Sequence, residues 1–403
     1  MEYIHKLFNT YQGLPNSIYV MFGVKIVNAM GNFVFPFLAL YLKKSLEIDA
    51  KTSGIILTVA ALSFAPGSII GGKLSDNYGR KKVFALFQTM SVALFIPCAF
   101  LSKSMLIPVL LILSAFFNGG SQPPLSAMAN DVTDNSNRKK AFSLLYLGNN
   151  IGFAVGSMVA GFLFSFHTRW LFLSNFITGF LAVIILIKFV KETRPSQASI
   201  DQEKNLSDRE KGEKGSLLEV LLKRPEFLVF GVLSAIYSFV YAQFPFCGSI
   251  QVGAKQYGIL MSLNGFVVIT MTTIIIQVTH RIKPLLNIAI AGVFFAIGFG
   301  MLYFVTGIEL LILSTIIWTI GEILNATNSA VYIANNTPST HRGRFNAAIQ
   351  IITGSGFAMG PTIMGLFIYG KAIQSAWALV FVVELAAAIL MLILYFYENK
   401  KEA

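Results

Sequence analysis

The sequence predicts an all-α membrane protein with twelve transmembrane helices in two six-helix pseudo-symmetric bundles. Three observations carry this. Only 12% of the 403 residues are charged and 55% are hydrophobic, whereas a soluble globular chain carries about 25% charge. Apolar runs long enough to cross a bilayer, about 20 residues as a helix, recur from end to end. The halves also repeat: a shift of 204 residues lays "RKKAFSLLYLGNNIGFAVGSMVAG" (138–161) on "RGRFNAAIQIITGSGFAMGPTIMG" (342–365) without a gap.

The spans read as 16–42, 53–73, 82–102, 105–130, 140–166, 169–190, 226–250, 256–279, 284–306, 308–335, 343–369 and 374–397. Residues 1–16 are mixed and polar, so no cleavable signal peptide is expected. Between spans six and seven, 14 of the 33 residues at 192–224 are charged, which keeps that stretch in water. The expected organisation is therefore an N-terminal bundle (1–191), a cytoplasmic linker (192–224) with a short surface helix near 216–222, and a C-terminal bundle (225–403). Cys98 and Cys247 lie inside apolar runs and imply neither a disulfide nor a redox compartment.

A net charge of +12 would suggest nucleic acid as partner for a soluble protein. Here the partner is the lipid bilayer, and the distribution of charge matters more than its sum. One side of the membrane receives 23 of the 31 basic residues, counting both termini and the linker. The other receives seven: Lys43, Lys44, Lys51, Lys103, Arg169, Lys255 and Lys371. The positive-inside rule makes the crowded side cytoplasmic, with both termini there and the chain in the cell membrane.

Between spans two and three runs "GGKLSDNYGRKK" (71–82). With Gly67 it gives G-x-x-x-x-G-K, a near miss to a nucleotide-binding loop. That reading fails because the next residue is Leu74, where magnesium needs Ser or Thr, and because a membrane helix precedes it rather than a strand. In register, Gly72, Leu74, Asp76, Gly79, Arg80 and Lys81 instead resemble the signature loop of the major facilitator superfamily, G-x-L-a-D-r-x-G-r-k/r. With twelve spans and a repeat, the resemblance covers the whole chain. It implies the major facilitator fold, with a substrate site between the halves at mid-membrane, and an inner-gate latch at this loop. Gly72 would allow close helix approach and Gly79 a tight reversal. Asp76 would face a helix N-terminus near Arg344, and Arg80 would pair with Asp131. A basic topology signal alone would explain Arg80, Lys81 and Lys82 but not Asp76 or the glycines. The matching stretch of the second half, "IIQVTHRIKPLL", has neither Asp nor Gly, so the latch is single.

Span five carries Gly152, Gly156 and Gly161, resembling the antiporter motif of family exporters with Ser157 for its Pro and Ala160 for one Gly. Small residues at this spacing also serve ordinary helix packing. Two features of proton-coupled drug exporters are missing: Ala115 stands where span four often has Arg, and "LLYLGNN" in span five lacks a carboxylate.

A charge inside a span costs roughly 2.5–3.5 kcal/mol on insertion scales and so points to function. Lys25, followed by Asn28 and Asn32, reads either as a cavity cation or as a snorkelling anchor. In the family, spans one, four, seven and ten line the cavity. Glu322 of span ten falls on Asn118 of span four under the 204-residue shift, and Asn325 and Asn328 extend its polar face. It is the candidate for proton coupling, the plain alternative being a structural hydrogen bond. Glu384 in span twelve reads as paired or packed. His5, His167, His280 and His341 show no metal spacing, and no cofactor is expected.

These features together imply secondary active transport by alternating access in a monomer, with a small-molecule substrate, protons as coupling ion and efflux of amphipathic or drug-like compounds. An importer or facilitator of a small polar metabolite on the same fold is the nearest alternative. A membrane-embedded enzyme would need a nucleophile–base or metal constellation that the spans lack.

Overall fold

A computed structural model describes residues 11–101, 103–134, 137–194, 225–305, 307–336 and 342–402, with backbone only at 139, 334, 342–348 and 402. Most of the linker, its expected surface helix, His5 and His341 lie outside these residues. Among the described residues, ten helices are long and apolar enough to cross a membrane. The other two expected spans are also helical. The first is α1 (Asn16–Gly31) followed by α2 (Leu38–Lys44), and the eleventh is α14 (Arg342–Phe367).

The first span is therefore broken, not continuous over 16–42. The cause is Pro36, which lacks an N–H and whose ring would strike the carbonyl four residues back, at Asn32. Helix α1 stops at Gly31, and Asn32 becomes its C-cap, donating its backbone N–H to Ala29 O at 3.2 Å. Gly31 has no room for a side chain, because a Cβ there would run into the Thr178 hydroxyl.

Helix α3 (Ala50–Tyr78) is capped by Asp49, whose carboxylate accepts from Thr52 N at 3.0 Å and from the Thr52 hydroxyl at 2.7 Å. Those bonds hold the Asp49 carboxyl below the usual range. The helix runs through most of "GGKLSDNYGRKK", and the reversal is confined to Gly79, whose φ of 106° favours glycine. Helices α4 (Arg80–Ala93) and α5 (Phe95–Phe100) form the third span. Span four is α6 (Leu106–Asp131), span five α7 (Arg138–Phe166) and span six α8 (Thr168–Phe189). The close approach expected of Gly72 belongs to its neighbours. A Cβ on Gly67 or Gly71 would collide with the α6 backbone at Phe116 or Gly120, whereas one on Gly72 would meet Pro123 at an ordinary 3.7 Å.

In the second half, span seven is α9 (Pro225–Tyr241), a π-turn (Phe244–Gly248) and α10 (Ser249–Val252). Then follow α11 (Ala254–Thr279), α12 (Pro284–Gly300) with a 3₁₀ turn (Met301–Phe304), α13 (Ile308–Asn336), α14, and α15 (Ser375–Glu402). Both cysteines are free and buried.

The chain forms two compact units. One comprises Met1–Ile48, Val59–Ser196 and Gly253–Gly265; the other comprises Asp49–Thr58, Gln197–Val252 and Phe266–Ala403. In the first, Ile18, Met21 and Val24 of α1 pack with Leu125 and Met128 of α6, Leu144 of α7 and Val183 and Leu186 of α8. The core of the second is aromatic: Trp318 lies 5.1 Å from Phe244 and 5.3 Å from Phe299 between ring centroids, and Phe299 lies 6.3 Å from Trp377.

The internal repeat reappears as paired contacts, one in each unit. Ser262 donates its hydroxyl to Ala154 O at 2.5 Å, and Thr58 to Ala358 O at 2.7 Å. Gly258 closes on Ser157 and Gly161, as Gly54 closes on Pro361, and Gly161 meets Ala254 as Gly365 meets Ala50. Every pair is related by the same 204-residue shift. A sequence repeat reproduced contact by contact means that both copies face the same packing requirement: a small residue where two helix backbones touch.

Candidate functional site

Two polar clusters occupy the interiors of the units, one in each. The inward face of α1 begins apolar, at Ile18 and Met21, and turns polar at Lys25 and Asn28. These four positions fall at i, i+3, i+7 and i+10, on one face of a helix. Lys25 is half-buried, with Nζ 3.5 Å from Gln122 Oε1 on α6. Gln122 Nε2 donates to Asn118 Oδ1 at 3.2 Å, and Gln88 Nε2 on α4 donates to Asn28 Oδ1 at 2.8 Å. The lysine thus turns toward α6 within the unit. Asn32 leaves the group, because the chain has stopped being helical there and the residue is exposed.

In the second unit, half-buried Glu322 on α13 accepts a hydrogen bond from the Tyr241 hydroxyl at 3.2 Å. The Tyr241 ring packs edge-on to Trp318, one turn before Glu322, at 5.9 Å, and against Phe295 at 6.2 Å. Asn325 accepts from Ser329 at 3.1 Å, and Asn328 accepts from Asn287 at 3.0 Å. Glu384 on α15 is wholly buried, and neither carboxylate oxygen has a partner among the described residues. It is packed, not paired.

The loop cluster is built around Arg80. Its guanidinium bonds the Asp76 carboxylate, donates from Nη1 to the Ser75 hydroxyl at 3.1 Å, and brings Nε to 3.5 Å from Asp131 Oδ2. Thr193 donates its hydroxyl to the same Asp131 oxygen at 3.0 Å. Glu192 accepts the backbone N–H of Arg80 at 2.8 Å and of Lys81 at 3.4 Å, placing a carboxylate at the positive end of α4. The side chains near Arg344, which Asp76 was expected to meet, lie outside the described residues.

In span five, Gly152 and Gly156 face α1, where a Cβ would strike Ile26 O and Met30 O, while Gly161 faces the start of α11. Among the described residues, no group of His, Cys, Asp and Glu could hold a metal ion.

Sequence reasoning missed Gln122, Gln88, Tyr241, Glu192 and Thr193. Gln122 follows Asn118 by one helical turn and Tyr241 sets a hydroxyl inside the apolar run of span seven, so both were within reach of a face-by-face reading. Glu192 and Thr193 were hidden by their position at the head of a linker that reads as solvated.

The family model of the Major Facilitator Superfamily matches residues 21–338 and 249–403. The MFS-type transporter YqjV of Bacillus subtilis (strain 168) is 25% identical over 360 residues, covering 88% of this chain and 86% of that protein. A Na(+), Li(+), K(+)/H(+) antiporter of Planococcus maritimus is 21% identical over 349 residues, 79% of this chain and 81% of the antiporter. A crystal structure of a POT family transporter in complex with 5-aminolevulinic acid shares the fold at a TM-score of 0.77 and 13% identity, covering 95% of this chain and 98% of that one. The geometry, the repeat and the family model agree, and the family's members are small-molecule transporters of the membrane, not enzymes. The chain belongs to the Major Facilitator Superfamily.

Proposed function

We propose that this transporter is a proton-coupled exporter of small amphipathic compounds, working by alternating access as a monomer, with Glu322 as its coupling residue. The observation that carries the reading is the Glu322–Tyr241 pair: a half-buried carboxyl group that accepts a hydrogen bond from a phenol whose ring packs against Trp318. A carboxyl group in that setting changes its proton affinity whenever its hydration changes. Kinship with a cation/proton antiporter and the small-residue face of span five support export over import.

The test is proton movement in inside-out vesicles energised by respiration and loaded with acridine orange. A panel of amphipathic acids, amides and amines should include compounds that restore the quenched fluorescence only when this protein is present. Equilibration of those compounds with no proton movement would make the protein a facilitator.

The same reading places both termini, the linker between residues 191 and 225, and the Arg80 cluster on the cytoplasmic side of the cell membrane. The two bundles are then residues 1–191 and 225–403. A cysteine at exposed Asn77 should react with an impermeant maleimide only from the cytoplasm, and one at exposed Tyr369 only from outside. Reversed labelling would overturn the orientation.

A further inference from the structure

The cluster around Lys25 holds a positive charge with no counter-charge and two amide groups with spare donors among the described residues. Its ammonium reaches Gln122 Oε1 at 3.5 Å, beyond the usual hydrogen-bond range, and has no ion pair among the described residues. None is available within the first six predicted spans, because the acids up to the head of the linker are Glu2, Glu47, Asp49, Asp76, Asp131, Asp134 and Glu192, all outside those spans. Each amide oxygen already has one neighbour: Asn28 Oδ1 accepts from Gln88, Asn118 Oδ1 accepts from Gln122, and Gln122 Oε1 is turned to Lys25. That leaves the N–H₂ groups of half-buried Asn28 and Asn118 as donors without partners among the described residues. Gln88 Oε1, which has no partner among the described residues, belongs to a side chain only 3% exposed and is closed to a ligand.

One unpaired cation and two amide donors complement a group that carries one negative charge and two or more acceptor oxygens. We propose that this cluster seats the anionic head of the substrate, and that the transported compound is an organic monocarboxylate. The inference rests on the transport reading above and names the charged end of what is carried. A carboxylate takes charge-assisted bonds from the ammonium and from both amides, which are shorter and stronger than bonds to a neutral acceptor. It also supplies the counter-charge that an intramembrane lysine lacks. A quaternary or primary amine would bring a second positive charge beside the lysine.

The test uses the full-length protein in detergent and follows its thermal unfolding with octanoate, phenylacetate and 4-phenylbutyrate, each beside its neutral amide and its amine. At least one carboxylate should raise the unfolding midpoint saturably while its amide and amine do not. Lys25→Met should weaken that carboxylate's binding at least tenfold, and Lys25→Arg should keep most of it. Asn118→Asp gives Lys25 an internal carboxylate, so it should abolish the shift without lowering the ligand-free midpoint. That variant carries the test if Lys25→Met does not fold.

Absence of a shift with every carboxylate, equal binding by Lys25→Met, or preference for the amines would overturn the proposal. If carboxylates bind through Lys25 but no proton moves, the coupling reading fails and this site stands. If neutral or cationic compounds drive proton exchange equally well in Lys25→Met, this site fails and the coupling reading stands.

Discussion

Glu322→Gln should abolish accumulation of substrate against its gradient while leaving binding and downhill exchange within about twofold of the unaltered protein. Glutamine keeps the shape of the side chain and can still accept the Tyr241 hydroxyl hydrogen, now 3.2 Å from Glu322 Oε1. What it loses is the ability to take up and release a proton. Gradient-driven transport should therefore fall at least tenfold in proteoliposomes with an imposed pH difference, and proton release on adding substrate should vanish. Tyr241→Phe removes the hydrogen bond that the phenol donates to Glu322, worth about 1.5–3 kcal/mol while the carboxyl is ionised, and leaves the titrating carboxyl in place. It should slow uphill transport without uncoupling it. Normal uphill transport by Glu322→Gln would move the coupling role elsewhere, and Glu384, buried with no hydrogen-bond partner among the described residues, would be the next carboxyl to replace.

The residues that sequence pattern reached and those it missed divide along a physical line. Hydropathy and the 204-residue repeat reveal helices and their pairing because both are properties of long windows, averaged over many side chains. Gly79 was legible because its positive φ sits at a forced reversal. The Arg80–Asp131 pairing was legible because opposite charges at adjacent helix ends have few alternatives. Short-range events were not legible. Pro36 breaks the first span by acting on the carbonyl of Asn32, so a residue placed on the cavity face by periodicity became a cap. The closest helix contact fell on Gly67 and Gly71, not Gly72, because rotation of α3 about its axis decides which glycine faces α6, and hydropathy leaves that rotation open. Gln122 and Tyr241 are uncharged and carry no insertion penalty large enough to mark them. Only the neighbours they touch give them meaning.

Arg80→Ala should lower the stability of the first unit, and Asp131→Asn added to it should restore most of the loss. Arg80 and Asp131 have side chains only 14% and 15% exposed. Removing one partner of a buried pair costs about 3–5 kcal/mol because the other charge stays behind. Partial exposure and the Thr193 hydroxyl on Asp131 Oδ2 reduce this to roughly 1–3 kcal/mol, still several degrees in the unfolding midpoint. Asp131→Asn removes that stranded charge, so the double variant should be more stable than the sum of the single losses requires, a coupling that a double-mutant cycle measures directly. Strict additivity would mean that the pair is incidental. Asp76 separates gating from stability. It bonds Arg80 but is 66% exposed, and exposed pairs contribute about 0–1 kcal/mol. Asp76→Asn should therefore leave the midpoint and the yield nearly unchanged. If the loop is the inner latch that its resemblance implies, the same substitution should still cut turnover at least tenfold and make cysteines placed at Lys25 or Asn118 react faster from the cytoplasm. Unchanged turnover in Asp76→Asn would reduce the loop to a structural clasp between α3, α4 and α6.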